Sequence, residues 1–421
     1  MRVDLAYGRH GTSVDVPTGA EVVVPVDEPA LPDEAAAITA ALRSPLTGPP
    51  LRELVPPGSR VAVVFPDLTR PMPNRVVLPP LLAELARAGV PDEHITLLCA
   101  TGTHRQATEA EMAELIGPEI AGRYPLVDHV ATDDGAHVAV GEVDGTPILL
   151  QREYVDADVR IITGFVEPHF FAGFSGGPKG VCPGLAATPT ILEAHHPRRI
   201  ADARATFVTR EGNPVHDFVR AATALAPPDL SLDVAINRAR RVTAVFAAPL
   251  PDGHDAACAY VQASAVRQVG SPFDLVVSTN GGYPLDRNLY QAVKGMAAAD
   301  RIVRDAGVVI MAAACEDGVP DGGAFARLLA AAETPAELAA ARGGPELDRW
   351  QAQVLGRVLA RAEVHLHSDG LEVTTIASAH LTPAPDLDGA VEEALGRLGS
   401  GAHVAVIPEG PLTVATVAPA T

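Results

Sequence analysis

Short apolar runs that break off at Gly, Pro, Asp or Thr recur along the first half of the chain. "RVAVVFPDLTRP" (Arg60–Pro71), "HITLLCATGTHR" (His94–Arg105) and "VRIITGFVEPHF" (Val159–Phe170) each read as a buried strand running into a polar loop. Between the first two, "LPPLLAELARAGVPDE" spaces Leu and Ala as an amphipathic helix does, with Gly89 as its stop. Strand, helix and strand in that order imply a parallel sheet, and such sheets bind ligands at the carboxyl ends of their strands. All three loops leave at that end, so their polar residues are expected to converge.

A second set of runs begins near residue 271. "FDLVVSTNGGYP", "DAGVVIMAAACEDG", "AEVHLHS" and "AHVAVIPEGP" again read as strands entering loops, separated by helical patterns such as "ELDRWQAQVLGRVLARA". "AATALAPPDLSLD" (Ala221–Asp233) reads as a loop, "HDAACAYVQASAVRQVG" as a helix leading to a domain boundary, and "LTPAPDLDG" as a solvated connector. The expectation is an α/β protein of two domains, each a mostly parallel sheet flanked by helices, with the active site in the cleft between them. The first domain is expected over residues 1–265 and the second, completing the substrate site, over 270–398. The tail 400–421 is a candidate to return to the first.

Composition narrows the function. The chain has 421 residues, long for a single core, and 47% of them are hydrophobic, as in an ordinary globular protein. The formal net charge of −20 argues against nucleic acid or an anionic membrane as partner. It also means that an acidic substrate needs a local cluster of Arg or Lys. No apolar run is long enough to cross a bilayer, and the start "MRVDLAYGRHGTSVDVP" lacks the features of a secretory signal. The four cysteines, Cys99, Cys182, Cys258 and Cys315, form no CxxC pair and read as buried thiols in a reducing cytoplasm.

The loops carry the candidate chemistry. In "PDLTRP", Asp67, Thr69 and Arg70 follow a buried strand; Arg70 can grip a carboxylate or phosphate, or simply pair with Asp67. In "TGTHR", Gly102 lets backbone approach a ligand, and His104 can accept a proton near neutral pH or merely hydrogen-bond its loop. "GFSGGPKG" is not a Walker A loop, because Pro178 precedes Lys179 and Gly180 follows it. Its adjacent glycines can turn backbone N–H groups toward an anion. Lys179 is then either a point charge for phosphate or a nucleophilic amine. Phe170, Phe171 and Phe174 make the loop too apolar for plain solvent exposure. "TPTILEAHHPRR" has helix-start character, with His195 and His196 at its end as metal-ligand or helix-dipole candidates. In "NLYQAVKG", Tyr290 and Lys294 share a helix face with Gln291 alongside, and Trp350 is a core or pocket-wall candidate.

Taken in order, "DLTRP", "TGTHR", "EPHFFAGFSGGPKGVCPG", "TILEAH" and "NLYQAVKG" resemble the nickel-pincer-nucleotide lactate racemase family, from Pro66 to Trp350. The resemblance implies a cofactor, a nickel-bearing pyridinium-3-thioamide-5-thiocarboxylic acid mononucleotide, attached covalently at Lys179. It implies Asp67, Thr69, Gly176, Gly177 and Pro183 as further cofactor-binding residues and His195, not His196, as the protein ligand to nickel. His104 and His169 match the acid/base pair. Arg70 and Lys294 match the residues that hold the substrate carboxylate, with Gln291, Tyr290 and Trp350 beside them. Two departures stand out: Ala194 replaces the asparagine that usually precedes the metal histidine, and Cys182 replaces an aliphatic residue.

The implied activity is racemisation or epimerisation of a 2-hydroxy acid by hydride transfer to and from the cofactor, which no side chain could supply. Two bases are needed because the two enantiomers present their hydroxyl on opposite sides. The expected partners are a small 2-hydroxy acid and the proteins that make the cofactor, with no nucleic acid and no membrane. Two rivals come from other classes: a zinc hydrolase with His104, His169 and His195 as ligands, and a non-catalytic cofactor-binding protein.

Overall fold

A computed structural model describes residues 1–320, 324–340 and 344–418. The chain divides into two compact units: Asp27–His195 with Arg204–Ala263, and Met1–Val26 with His196–Ala203 and the chain from Ser264 onward. The helix and strand content and the parallel-dominated sheets bear out the expected α/β class.

The unit built on Asp27–His195 is organised by one six-stranded sheet. Its strands run in the order Val242–Ala248, Leu230–Ile236, Val159–Phe165, Val61–Pro66, Ile95–Ala100 and Leu126–Asp128. All neighbours are parallel except the first pair. Val61–Phe65 is buried throughout, which is why its sequence is a continuous apolar run rather than an alternating one. The helix Asn74–Arg87 carries the chain from the first expected strand to the second, and Gly89, at φ +85°, takes the left-handed turn after it. Pro66 lies level with Ala100, and Val64 with Ile162, so the three expected loops depart from neighbouring strand ends. The span Ala221–Asp233, expected as a loop, is one only at its centre. The helix Pro214–Thr223 takes its start and the strand Leu230–Ile236 its end. The prolines at 227 and 228 mark only the turn between them.

The other unit has a six-stranded, all-parallel sheet in the order Thr382–Pro383, Ala362–His367, Val303–Ala312, Phe273–Thr279, Val404–Ile407 and Glu21–Val22. Leu275, Val277, Ile310, Val404 and Val406 pack with Val3, Leu5 and Val14 in one core. The first 26 residues therefore lie with the chain's second half and not in a first domain of 1–265. The pairing of Glu21–Val22 with Val404–Ile407 and the burial of Val3, Leu5 and Val14 put them there. The strands Val404–Ile407 and Val414–Val417 of the tail pair within this same unit, the latter with Val266–Val269. Residues 419–421 of that tail lie outside the described residues.

One core feature bears on the acid response. The helix Pro214–Thr223 is capped by Asn213, whose side chain accepts from the N–H groups of Val215 and His216. His216 is 1% exposed, and neither of its ring nitrogens has a hydrogen-bond partner among the described residues. Burial, then the charges of His254 and Arg220, push its pKa down to about 3. A histidine held neutral in the fold takes a proton on unfolding once pH falls below its ordinary value. Its contribution is thus present above about 6.5 and is lost as pH drops from there toward 3. We expect urea stability to fall between pH 7 and pH 5, with His216 contributing about 1–2 kcal/mol of that loss. In His216→Leu this part of the slope disappears. An unchanged slope in the variant would assign the acid response to other groups.

Candidate active site

Asp67, at the end of Val61–Pro66, is buried, and its two oxygens have different partners. Oδ1 accepts from the Thr69 hydroxyl at 2.7 Å and from the Thr69 N–H at 3.2 Å. Oδ2 lies 2.7 Å from Nδ1 of His104, which arrives from the neighbouring strand end. Burial alone would push the Asp67 carboxyl up. The charge and hydrogen bond of His104, then Arg70 and Thr69, outweigh it and hold the carboxyl below its ordinary range. An ionised carboxylate can only accept, so His104 donates through Nδ1–H and keeps its lone pair on Nε2. Arg70 does not pair with Asp67 through its side chain; its guanidinium lies 3.5 Å from the Thr69 hydroxyl.

The second loop is tied to the glycine-rich one. Gly102, at φ +56°, donates its N–H to the Gly184 carbonyl at 3.0 Å, and Gly184 donates to the Lys179 carbonyl at 3.1 Å. His104 and Lys179 are therefore linked through main chain by way of Gly102 and Gly184. Pro183 stands beside this link, its carbonyl oxygen 3.6 Å from where a Cβ on Gly102 would lie.

The third loop leaves Val159–Phe165 and folds back as a short hairpin, Pro168–His169 against Gly173–Phe174. His169 is buried, and its Nδ1 accepts from the Ala172 N–H at 3.3 Å, which places its ring proton on Nε2. The turn that follows, Gly177–Gly180, carries half-buried Lys179. One of the glycines here has a different use from the expected one. The Gly177 N–H donates to the buried Asp233 Oδ1 at 3.0 Å, so it faces a carboxylate and not an anionic ligand. Burial pushes the Cys182 thiol up to about 12, which makes it an inert core group.

Phe171 gathers the remaining groups. The His169 ring lies 4.5 Å from it, the His195 ring 5.4 Å edge-on, and Lys179 Nζ 5.7 Å from its centre. His195 ends the helix Thr188–Ala194 and donates Nδ1–H to the Ile191 carbonyl at 2.8 Å. Burial, opposed by that hydrogen bond and helped by the charges of Lys179 and His104, lowers its pKa to about 4. At neutral pH His195 is thus an uncharged imidazole with its lone pair on Nε2, the form that binds a metal. His196 is used differently, as the cap of the short helix Pro197–Ile200. Among the described residues no group of three or more His, Cys, Asp or Glu side chains is arranged to hold a metal ion. His104, His169 and His195, the ligands of the zinc alternative, do not form such a group there.

The other unit carries the remaining candidates. Asn288 caps the helix Leu289–Asp300, accepting from the Gln291 N–H at 3.0 Å. Lys294 is 8% exposed on this helix. Gln291 is buried too, and its Oε1 has no hydrogen-bond partner among the described residues. Trp350 donates its indole N–H to the Tyr290 hydroxyl at 2.7 Å, and Phe325 meets the Tyr290 ring edge-on at 5.4 Å. Trp350 is therefore a buried residue that also fixes the Tyr290 hydroxyl.

Sequence reading missed Asp233, Thr223 and His254, which hold the glycine turn from elements far along the chain. It also passed over Glu167. That residue is buried two positions before His169, with an oxygen lacking a partner among the described residues.

Known proteins share this architecture. A lactate racemase N-terminal domain model matches residues 7–207, and a lactate racemase C-terminal domain model matches 269–415. The lactate racemase of Lactiplantibacillus plantarum is 36% identical over 377 residues, 88% of each chain. That of Thermoanaerobacterium thermosaccharolyticum is 33% identical over 376 residues, again 88% of each. The structure of the lactate racemase apoprotein from the latter organism matches with a TM-score of 0.90 at 30% identity, over 99% of this chain and 100% of that one. A Thermotoga maritima protein, 17% identical, shares the fold at a TM-score of 0.71 over 94% of this chain and 100% of its own. With both domain models matched in order and relatives above 30% identity along most of its length, this chain belongs to the lactate racemase family.

Proposed function

We propose that this protein is a 2-hydroxy-acid racemase or epimerase that works with a nickel-pincer nucleotide tethered to Lys179. The observation that carries the reading is the gathering of His169, Lys179 and His195 around Phe171, with His104 tied to the same loop through Gly102 and Gly184. The activity itself follows the curated relatives, both lactate racemases. Proteins that synthesise the cofactor are the implied partners.

The residues present fit such a group. His195 offers one neutral nitrogen donor, and the remaining ligands would come from the cofactor, in keeping with a site that lacks a three-ligand cluster among the described residues. Only two of the 32 Lys and Arg side chains in the chain are lysine, and they are Lys179 and Lys294. A guanidinium does not lose its proton and cannot serve as an amine nucleophile, so Lys179 is a position where arginine would not do. When bound, the cofactor supplies a site that takes the α-hydride and gives it back.

The chain's own residues do the rest. Arg70, and in the other unit Lys294, are cations suited to a substrate carboxylate, and the unpartnered Oε1 of buried Gln291 suits the hydroxyl of a ligand. His104, with Nδ1–H held on Asp67, presents Nε2 as the base that receives the hydroxyl proton. The Asp67 carboxylate stabilises the imidazolium that results. His169 presents Nε2–H to the opposite side of the substrate. To act as base in its turn it releases the Ala172 N–H and moves its proton to Nδ1. As the hydride leaves the α-carbon a 2-oxo acid forms, its carboxylate stays fixed, and rotation exposes the other face; when the hydride returns to carbon the oxygen needs a proton, which an imidazolium at His169 would give from Nε2 while His104 keeps the one it took. Phe170, Phe171 and Phe174, all buried, keep water from this step.

Lys179→Arg is expected to fold normally but to lack the tethered mass. Wild type made alongside the cofactor-synthesis proteins should carry that mass on the Lys179 peptide. An added mass retained in the variant, or found on the Lys294 peptide, would refute the assignment.

His104→Ala should lower kcat/KM by roughly 10²–10⁴-fold, the usual loss for a general base. Two enantiomers have equal free energy, so the loss must be the same measured from either one. Chiral chromatography of reactions started from each pure enantiomer checks both statements. A rate within about twofold of wild type would remove His104 from the scheme.

A further inference from the structure

Three buried side chains hold three successive parts of the turn that bears Lys179. His254 donates from Nε2 to the Ser175 carbonyl at 2.9 Å. Asp233 accepts the Gly177 N–H on Oδ1 at 3.0 Å. The Thr223 hydroxyl donates to the Pro178 carbonyl at 3.1 Å. The three come from separate elements, the helix Asp252–Ala265, the strand Leu230–Ile236 and the helix Pro214–Thr223. All three are buried, so the bonds are shielded from competing water. Asp233 is itself fixed, its Oδ2 accepting from the Ser231 hydroxyl at 2.6 Å.

The contact is as close as backbone allows. A Cβ on Gly176 would stand 2.9 Å from Asp233 Oδ1, and one on Gly177 would enter the His254 ring. Gly176 and Gly177 also have φ of +77° and +50°. The paired glycines are therefore required by what presses on the turn from below. A turn pinned at Ser175, Gly177 and Pro178 has little freedom at the next residue.

We propose that His254, Asp233 and Thr223 are positioning residues that aim the Lys179 amine for covalent attachment. This rests on the reading of Lys179 as the tether. None of the three needs to touch the attached group; they act through the main chain of Ser175–Pro178.

The test uses Thr223→Val, His254→Ala and His254→Gln, the last keeping an N–H donor for the Ser175 carbonyl. Each is produced with the cofactor-synthesis proteins, and intact and peptide mass give the fraction of Lys179 carrying the added group. Thr223→Val and His254→Ala should lower that fraction about two- to tenfold, the range that loss of one hydrogen bond allows, and His254→Gln should recover it. A second arm needs no cofactor. An amine-selective acylating reagent is applied to cofactor-free protein, where Lys179 and Lys294 are the only side-chain targets. Lys179 should react about two- to tenfold faster in Thr223→Val and His254→Ala as its amine swings loose, while the Lys294 rate stays level and certifies the fold. If His254→Ala does not fold, Thr223→Val and His254→Gln carry both arms. Lys179 acylation and tethering within twofold of wild type in folded variants would overturn the proposal. If wild type never carries a group on Lys179, the tether reading fails, and the acylation rates alone decide whether the amine is held.

Discussion

Three neighbouring parallel strands that end level with one another are the constraint on which the candidate site depends. Pro66 is opposite Ala100 and Val64 is opposite Ile162, so loops about 4.8 Å apart at their roots leave the sheet together. Strands buried on both faces carry few polar side chains, so most of the candidate polar groups sit in the loops, with Asp233 and Ser231 of the strand Leu230–Ile236 as exceptions. The side-chain hydroxyl of Thr163 shows the same economy: buried in the sheet, it donates to the Val64 carbonyl at 2.9 Å. The loops then bind one another, Asp67 to His104 and Gly102 to Gly184. What holds the histidines and the lysine together is thus a set of hydrogen bonds between loops whose starting points the sheet has already aligned.

Electrostatics in this region run against the overall charge. The chain is strongly acidic, yet two buried carboxylates beside the candidate loops are engaged: Asp67 by His104 and Thr69, Asp233 by Gly177 and Ser231. A buried carboxylate that already accepts such bonds repels an incoming anion less than a bare one, since its field is partly offset by the donors around it. The same burial that fixes these acids keeps His195 neutral. Low dielectric therefore serves two ends here, strengthening the Asp67–His104 pair and denying a proton to the His195 imidazole.

Three strands of the first sheet and four of the second were legible because burial on both faces leaves continuous apolar runs, and their loops because Gly, Pro and Thr follow them; Thr382–Pro383, two residues inside the expected connector, was not. The helix Asn74–Arg87 was legible in spite of Pro79 and Pro80, since its leucine spacing survives them. Ala221–Asp233 was misread because its prolines dominate a turn of only a few residues between a helix and a strand. The placement of the N-terminus was not legible at all. Glu21–Val22 is a very short strand, exposed at both positions, so no hydrophobic signal announces that it will pair with a strand close to the other end of the sequence. The candidate residues were legible as motifs, but their supports were not. His254 and Asp233 sit at unremarkable positions in a helix and a strand, and only the fold brings them under Gly177.

The replacement of asparagine by Ala194 before the metal-ligand candidate bears on how little such a site requires of its neighbours. A ligating histidine needs its other ring nitrogen held by an acceptor, which fixes both the tautomer and the ring orientation. In this chain the acceptor is the Ile191 carbonyl, one helical turn back, at 2.8 Å. The carbonyl is available because Ile191 lies in the last turn of the helix Thr188–Ala194, where acceptors begin to run out of helical donors. The His195 N–H of the main chain and its ring both reach that one oxygen. A backbone acceptor is supplied by the helix end whatever side chain precedes the histidine. Ala194, fully buried, can therefore pack as a small apolar residue without taking tautomer control away from His195.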